Sequence, residues 1–222
     1  MYRFNFAPVF ANFDRLLDGA AVTMALSCGA MVIGLVISVI CAVARTSHIA
    51  PLRKAIGVYV EVIRNTPFLV QIFFIYFGLP GVGIAFNPNS AALVALTVNV
   101  GAYGTEIIRA GIESIDRGQV EAGIALGLSR IQIFRYIILK PALRTVYPAL
   151  TSQFIFLMLT SSVVSVISAT DLAAAGNDVN SETFASFETY IVVTAMYLVM
   201  SSILSTFFST IQRMAFRYPL GR

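Results

Sequence analysis

Residues 20–44 read AAVTMALSCGAMVIGLVISVICAVA, twenty-five positions without one charged side chain. A run of that length exceeds the ~20 apolar residues a helix needs to cross a ~30 Å hydrocarbon layer. It is also longer than the ~7–15-residue apolar region of a secretory signal. The segment ahead of it carries Asp14 and Asp18 where a signal would be basic. The run is therefore read as a retained membrane span.

Four further apolar runs lie outward from it, at 55–79, 90–108, 146–168 and 190–211. The second carries Glu61 and Arg64 near its start. The pattern predicts an all-α polytopic membrane protein, a single transmembrane domain over 1–222 with five transmembrane helices. An odd number of spans puts the termini on opposite sides. Twelve of the fifteen Lys and Arg fall in three clusters between spans: Arg45, Arg53, Lys54; then Arg109, Arg117, Arg130, Arg135, Lys140, Arg144; then Arg213, Arg217, Arg222. The connections 80–89 and 169–187 hold none, and the latter carries Asp171, Asp178 and Glu182. Because Lys and Arg accumulate on cytoplasmic connections, the N-terminus is expected outside and the C-terminus in the cytoplasm.

Composition agrees. Of the 222 residues 58 % are apolar and 12 % charged, with a mean hydropathy of +0.83. A soluble domain carries about 25 % charged residues, so half the polar cover of a water-facing globule is missing. A soluble enzyme is excluded. The net charge of +4 sits in punctuation between spans, which is topology and not a nucleic-acid face. Cys28 and Cys41 lie roughly 20 Å apart along one helix, too far to pair within it. His48, the single histidine, has no metal-ligand spacing around it and reads as a loop side chain near the headgroups. No metal site is expected.

The connection at about 113–142 is unlike the others. ESIDRGQVEAGIALGLSRIQIFRYIILKPALR, residues 113–144, is amphipathic, with Ile124, Leu128, Ile131 and Phe134 at helical spacing. Gly118, Gly127 and Pro141 are expected to divide it into short helices. Such a connection suits contact with a partner, or an interfacial helix lying on the bilayer.

Here the residues become specific. Glu121-Ala122-Gly123, three residues, Gly127, nine residues, Ile137-Ile138-Leu139 resembles the EAA loop of ATP-binding-cassette (ABC) importer permeases. The usual pattern has Ala at 123 and Pro at 140; this chain has Gly123 and Lys140, with Pro141 one place later. EVIRNTPFLVQIFFIYFGLP, 61–80, is similar to the second-span signature of permeases for polar amino acids. NVGAYGTEIIRAGIESIDRGQVEAG, 99–123, resembles the third span of that family, and LLDGAAVTMALS, 16–27, its first-span entry. The likeness covers nearly the whole chain in order. It identifies the chain as similar to the permeases of the histidine/glutamine/glutamate type.

The resemblance implies the ABC importer permease fold and a subunit of the bacterial inner membrane that forms an amino-acid path. It implies a second permease subunit, identical or paralogous, two cytoplasmic ATPase subunits, and a periplasmic or lipid-anchored amino-acid-binding protein. It assigns Glu121, Ala122, Gly123, Leu126 and Gly127 to docking on the ATPase, small residues giving close approach and leucines giving knobs. ATP and Mg would belong to that partner. The residues support this: a P-loop needs Gly before its Lys, and Lys54 and Lys140 follow Arg53 and Leu139. No cofactor and no catalytic group are expected in this subunit, which is not an enzyme. The alternative is a secondary transporter or channel without an ATPase, whose sequence sign, inverted repeats, is not found among five unmatched spans.

Polar residues inside a bilayer are costly and mark function or packing. Asn99, Tyr103 and Glu106 recur at i, i+4 and i+7, giving the third span one polar face. Ser161, Ser165 and Ser168 repeat the spacing in the fourth span, and Ser202, Ser205 and Ser209 do something similar, at i, i+3 and i+7, in the fifth, where helix packing is the reading. Asn99, Tyr103, Thr160 and Ser161 are the candidates for the substrate path. Glu61 and Arg64, at i, i+3, are read as a structural pair or as side chains snorkelling to the interface. At 159–160 the resembled family usually shows Lys then Asp or Asn; here stand Leu159 and Thr160. The missing carboxylate argues against a cationic substrate on this subunit, or leaves the polar contacts to a paralogous permease.

Overall fold

A computed structural model describes residues 3–47 and 49–215. His48 and two arginines of the third basic cluster, Arg217 and Arg222, lie outside the described residues. In chain order the helices are α1 (Ala7–Ala11), α2 (Phe13–Arg45), α3 (Ala50–Arg64), α4 (Phe68–Phe73), α5 (Pro88–Glu113), α6 (Arg117–Ala125), α7 (Arg130–Gln132), α8 (Leu139–Thr160), α9 (Leu172–Thr183) and α10 (Ser186–Ala215). A π turn, Phe74–Gly78, and a 3-10 turn, Leu79–Val82, prolong α4. A second π turn, Ile133–Ile138, joins α7 to α8, and a 3-10 turn, Ser161–Ile167, prolongs α8. Among the described residues four continuous helical stretches are long and apolar enough to cross a membrane: Phe13–Arg45, Pro88–Glu113, Arg130–Ile167 and Ser186–Ala215.

The fifth is broken. The run read as one span, 55–79, is two helical segments, Ala50–Arg64 and Phe68–Val82, bent by 108°. The cause is Thr66-Pro67: proline pushes the residue before it out of the helical region. Pro67 itself is extended at φ −62°, ψ 137°, and heads α4.

The fourth span also begins earlier than charge suggested. Lys140, Pro141 and Arg144 are already helical, in one continuous stretch from Arg130. Pro141 does not divide it. It falls in the first turn of α8, where a missing N–H is tolerated, and the π turn just ahead relieves the i→i−4 pattern. Thirty-eight residues span ~57 Å, so the charged start projects beyond a ~30 Å apolar layer.

The centre is α2 against α5, held by small residues. A Cβ on Gly34 would sit 2.6 Å from Val100 Cγ1, and one on Gly104 would overlap Ser38 Oγ. In lipid, burial of apolar area does not drive helix pairing; close backbone approach and dispersion do. Ser38 is fully buried and donates to the Gly34 carbonyl at 2.7 Å, within 3.2 Å of the carbonyls of Val100 and Gly101.

The connection 169–187, read as a loop, holds α9, packed between α2 and α10. Gly19 admits Ala175, and Gly176 admits Val193. Asp171, wholly buried, caps α9 by accepting from Ala174 N at 2.9 Å, and Tyr197 OH lies 3.4 Å from its other oxygen. Thr23 Oγ1 accepts from Leu172 N at 3.0 Å. Burial pushes the Asp171 carboxyl up to about 6, against the lowering by its amide partners. The N-terminal segment closes the same end: Asn5 N donates to Glu188 Oε1 at 2.7 Å, and Arg15 pairs with Glu182 at 2.6 Å.

Candidate functional site

The polar face expected on the third span is present on α5, turned toward the broken α3–α4 pair. Asn99 donates Nδ2 to Gln71 Oε1 at 3.3 Å. Gln71, only 9 % exposed, spends its own amide on the break, donating to the Ile63 carbonyl at 2.7 Å and to the Thr66 carbonyl and hydroxyl at 3.0 Å each. Helix ends leave carbonyls without intrahelical partners, and in lipid no water replaces them. One side chain therefore satisfies the break and anchors α5 to it. Sequence reading missed Gln71; its only signal was a polar residue four positions after Pro67.

One turn along, the Arg64 guanidinium lies 5.4 Å from the centroid of the Tyr103 ring. A stacked cation of this kind is worth ~0.5–2 kcal/mol depending on desolvation. Of the two readings of Glu61 and Arg64, the pair does not form: among the described residues Glu61 makes no salt bridge, and both residues are exposed. A further turn on, Arg109 is held between Glu106 and Glu113. Glu106 Oε2 is buried without a hydrogen bond among the described residues. Asn99, Tyr103 and Glu106 thus form one half-buried polar line, each engaging or facing a partner from another turn.

The fourth-span candidates are placed differently. Thr160 is half-buried at the end of α8, but Ser161 is fully buried and donates to the Met158 carbonyl at 2.7 Å. The expected face of Ser161, Ser165 and Ser168 assumed an α-helix. The chain is a 3-10 turn here, with about 3.0 residues per turn, so the buried set is Ser161, Val164 and Ile167. Ser168 leaves the helix at φ 62°. In α10, Ser202 and Ser205 are exposed and Ser209 half-buried, so that serine face does not pack within this chain.

The EAA-like segment is α6 and its exit. Asp116 caps the start, accepting from Gly118 N at 2.6 Å. The end is a Schellman turn: Leu128 N donates to the Gly123 carbonyl at 3.1 Å and Gly127 N to that of Ile124 at 2.9 Å, with Gly127 at φ 74°. Ser129 and Gln132 then start α7 with reciprocal side-chain to backbone bonds. The small residues divide in role. Gly123 is buried, and a Cβ there would lie 2.5 Å from Ile137 Cδ1 and 3.3 Å from Ile133 Cγ1, so its smallness serves packing within this chain. A Cβ on Gly127 meets nothing within 4 Å; the left-handed backbone explains the glycine. Leu128, expected as a knob, is half-buried. What faces outward is Glu121, Ala122, Ile124 at 61 % and Leu126 at 80 % exposure.

Residues 34–217 match the family described as binding-protein-dependent transport system inner membrane component. The glutamine transport system permease protein of Escherichia coli (strain K12) is 36 % identical over 222 residues, covering 95 % of this chain and 97 % of its own length. An amino acid ABC transporter crystallised with histidines superposes with a TM-score of 0.90 at 35 % identity, over 96 % of this chain and 100 % of that one. An inward-facing methionine ABC transporter shares the fold, at a TM-score of 0.66 and 24 % identity over 93 % of this chain and 94 % of that one.

Proposed function

Since this chain belongs to the family of binding-protein-dependent transport system inner membrane components, we propose that it lines the path of glutamine, or a closely similar uncharged polar amino acid. It is a membrane permease subunit of an amino-acid ABC importer, and its place is the bacterial inner membrane. The glutamine permease of Escherichia coli motivates the substrate, and the absence of a carboxylate at Thr160 fits a side chain without positive charge.

In this reading two permease subunits, identical or paralogous, enclose the path, and a binding protein delivers the amino acid on the α9 side. Two ATPase subunits holding ATP and Mg dock at the α6 end, which faces the cytoplasm. The carrying observation is the pair of exposed apolar side chains, Ile124 and Leu126, held on a short capped helix beyond the apolar length of the spans. Glu121 and Ala122 flank them, while Gly123 and Gly127 shape the turn that presents them. Asn99 and Tyr103 contribute the polar wall, with Thr160 beside it and Ser161 shaping its backbone. Substrate movement past Asn99 would act on the hinge that Gln71 caps.

The test is uptake of labelled glutamine by cells or vesicles containing the permease, its ATPase and its binding protein. ATP-dependent uptake that unlabelled glutamine blocks and arginine does not block supports the reading. Uptake competed equally by arginine would remove the substrate assignment.

A further inference from the structure

A polar cavity of about 510 Å³ lies between the ends of α2 and α5 and the start of α3. It is lined by Arg45, Ala50, Arg53, Lys54, Arg109 and Glu113. Topology accounts for basic residues at this end of the bundle, but not for four cations from three helices converging on one cavity. Arg109 is neutralised by Glu106 and Glu113. Arg45, Arg53 and Lys54 form no salt bridge among the described residues, so the site carries an excess of two positive charges. Arg45 is half-buried, and its guanidinium occupies the space where a side chain on Gly57 would be. No side chain caps the start of α3, whose positive end lies at Ala50 on the cavity wall. Val43 and Ile40 of α2 and Leu52 and Val58 of α3 are exposed apolar side chains of the same two helices.

We infer that this cavity holds the headgroup of an anionic phospholipid, with the phosphodiester among Arg45, Arg53 and Lys54 and the acyl chains along the apolar surfaces of α2 and α3. Charge and exposed apolar surface together select this ligand. A free anion has no use for the exposed valines and leucine, and a neutral lipid leaves the cations uncompensated. Basic cavities between helices at a membrane face suit such headgroups. The inference rests on the topology proposed above only for the leaflet, the cytoplasmic one.

The test uses the permease–ATPase complex in neutral detergent, titrated with phosphatidylglycerol and, separately, phosphatidylcholine, with bound lipid counted by native mass spectrometry. Arg53 and Lys54 are exposed, so Arg53→Gln with Lys54→Gln removes charge without opening the core. At ~1 kcal/mol per basic residue near an anionic surface, the double variant should bind phosphatidylglycerol about thirty-fold more weakly, with phosphatidylcholine unchanged. Arg53→Lys, which keeps the charge, should retain it. Equal phosphatidylglycerol binding by wild type and double variant overturns the inference. Displacement of the lipid by millimolar inorganic phosphate makes this a free-anion site and overturns the lipid assignment. Loss of the ATPase from the double variant with lipid retained would assign the cations to the protein contact instead. Failure of glutamine uptake with lipid binding intact bears on the proposed function alone.

Discussion

Gln71 and Asn99, twenty-eight positions apart, meet amide to amide at 3.3 Å, at the one place among the described residues where a membrane-length segment is broken. The bond runs from the polar face of α5 into the break itself, so that face and the bend are one structure.

The two residues are therefore predicted to differ when replaced. Gln71→Leu strips the donors from the Ile63 and Thr66 carbonyls and should cost about 2–3 kcal/mol, read as a lowered melting temperature of the purified complex. Asn99→Leu leaves those donors in place but takes the donor from Gln71 Oε1, costing about 1–2 kcal/mol. Uptake should fall in both, with ATPase retained in Asn99→Leu. Unchanged uptake in Asn99→Leu would return that face to helix packing.

At the α6 end, Leu126→Asp puts a charge on a side chain that is 80 % exposed and disturbs nothing inside the subunit. Membrane retention of the ATPase and uptake should fall together, with permease abundance unchanged. Gly127→Arg acts through the backbone, since its φ of 74° costs a side chain about 1–2 kcal/mol. The same two readouts should fall, and Gly127→Asn, which tolerates that region, should recover much of the loss. Normal retention in Leu126→Asp would remove the docking assignment.

Stability should also depend on pH through the α9 cap. Asp171 titrates near 6 in the fold, above its ordinary value of 3.8. Between about pH 4 and 6 the folded protein keeps a proton that the unfolded chain has released, so this contribution falls as pH rises through that window. Glu182, held below the ordinary carboxylate value by hydrogen bonding to Arg15, acts in the opposite sense as pH falls. Asp171→Asn keeps an acceptor for Ala174 N without burying charge. Its melting temperature should exceed wild type by more at pH 7 than at pH 4.5, and an equal difference at both would refute the assignment.

The proposed orientation predicts that a reporter inserted near Asn87 is extracytoplasmic and one fused after Arg222 is cytoplasmic. Both on one side would break the five-span topology.

Much of this architecture could be read directly from the residues. The charge-free run before Arg45 admits one physical solution in lipid, and the i, i+4, i+7 spacing of Asn99, Tyr103 and Glu106 holds because α5 is regular there. Periodicity failed wherever the helix changes type. The 3-10 turn after Thr160 rotates Ser165 away from Ser161, and the π turn after Gln132 carries the chain past Pro141. Pro67 signalled a break, but the apolar run around it concealed the bend. The buried role of Gly123 depends on Ile133 and Ile137, which reach it only after a reversal that pattern alone does not position.

The α9 end has a temporal consequence. During synthesis α2 emerges early, yet the groups that complete this end emerge much later: Val193 against Gly176, Tyr197 near Asp171, and Glu188 on the amide of Asn5. Residue 5 waits for residue 188, so this bond cannot form until the start of α10 has left the ribosome. A chain interrupted before Ser186 would carry α9 with the buried Asp171 carboxyl and the Gly176 cleft uncovered. Such a fragment leaves that polar end open until α10 is in place.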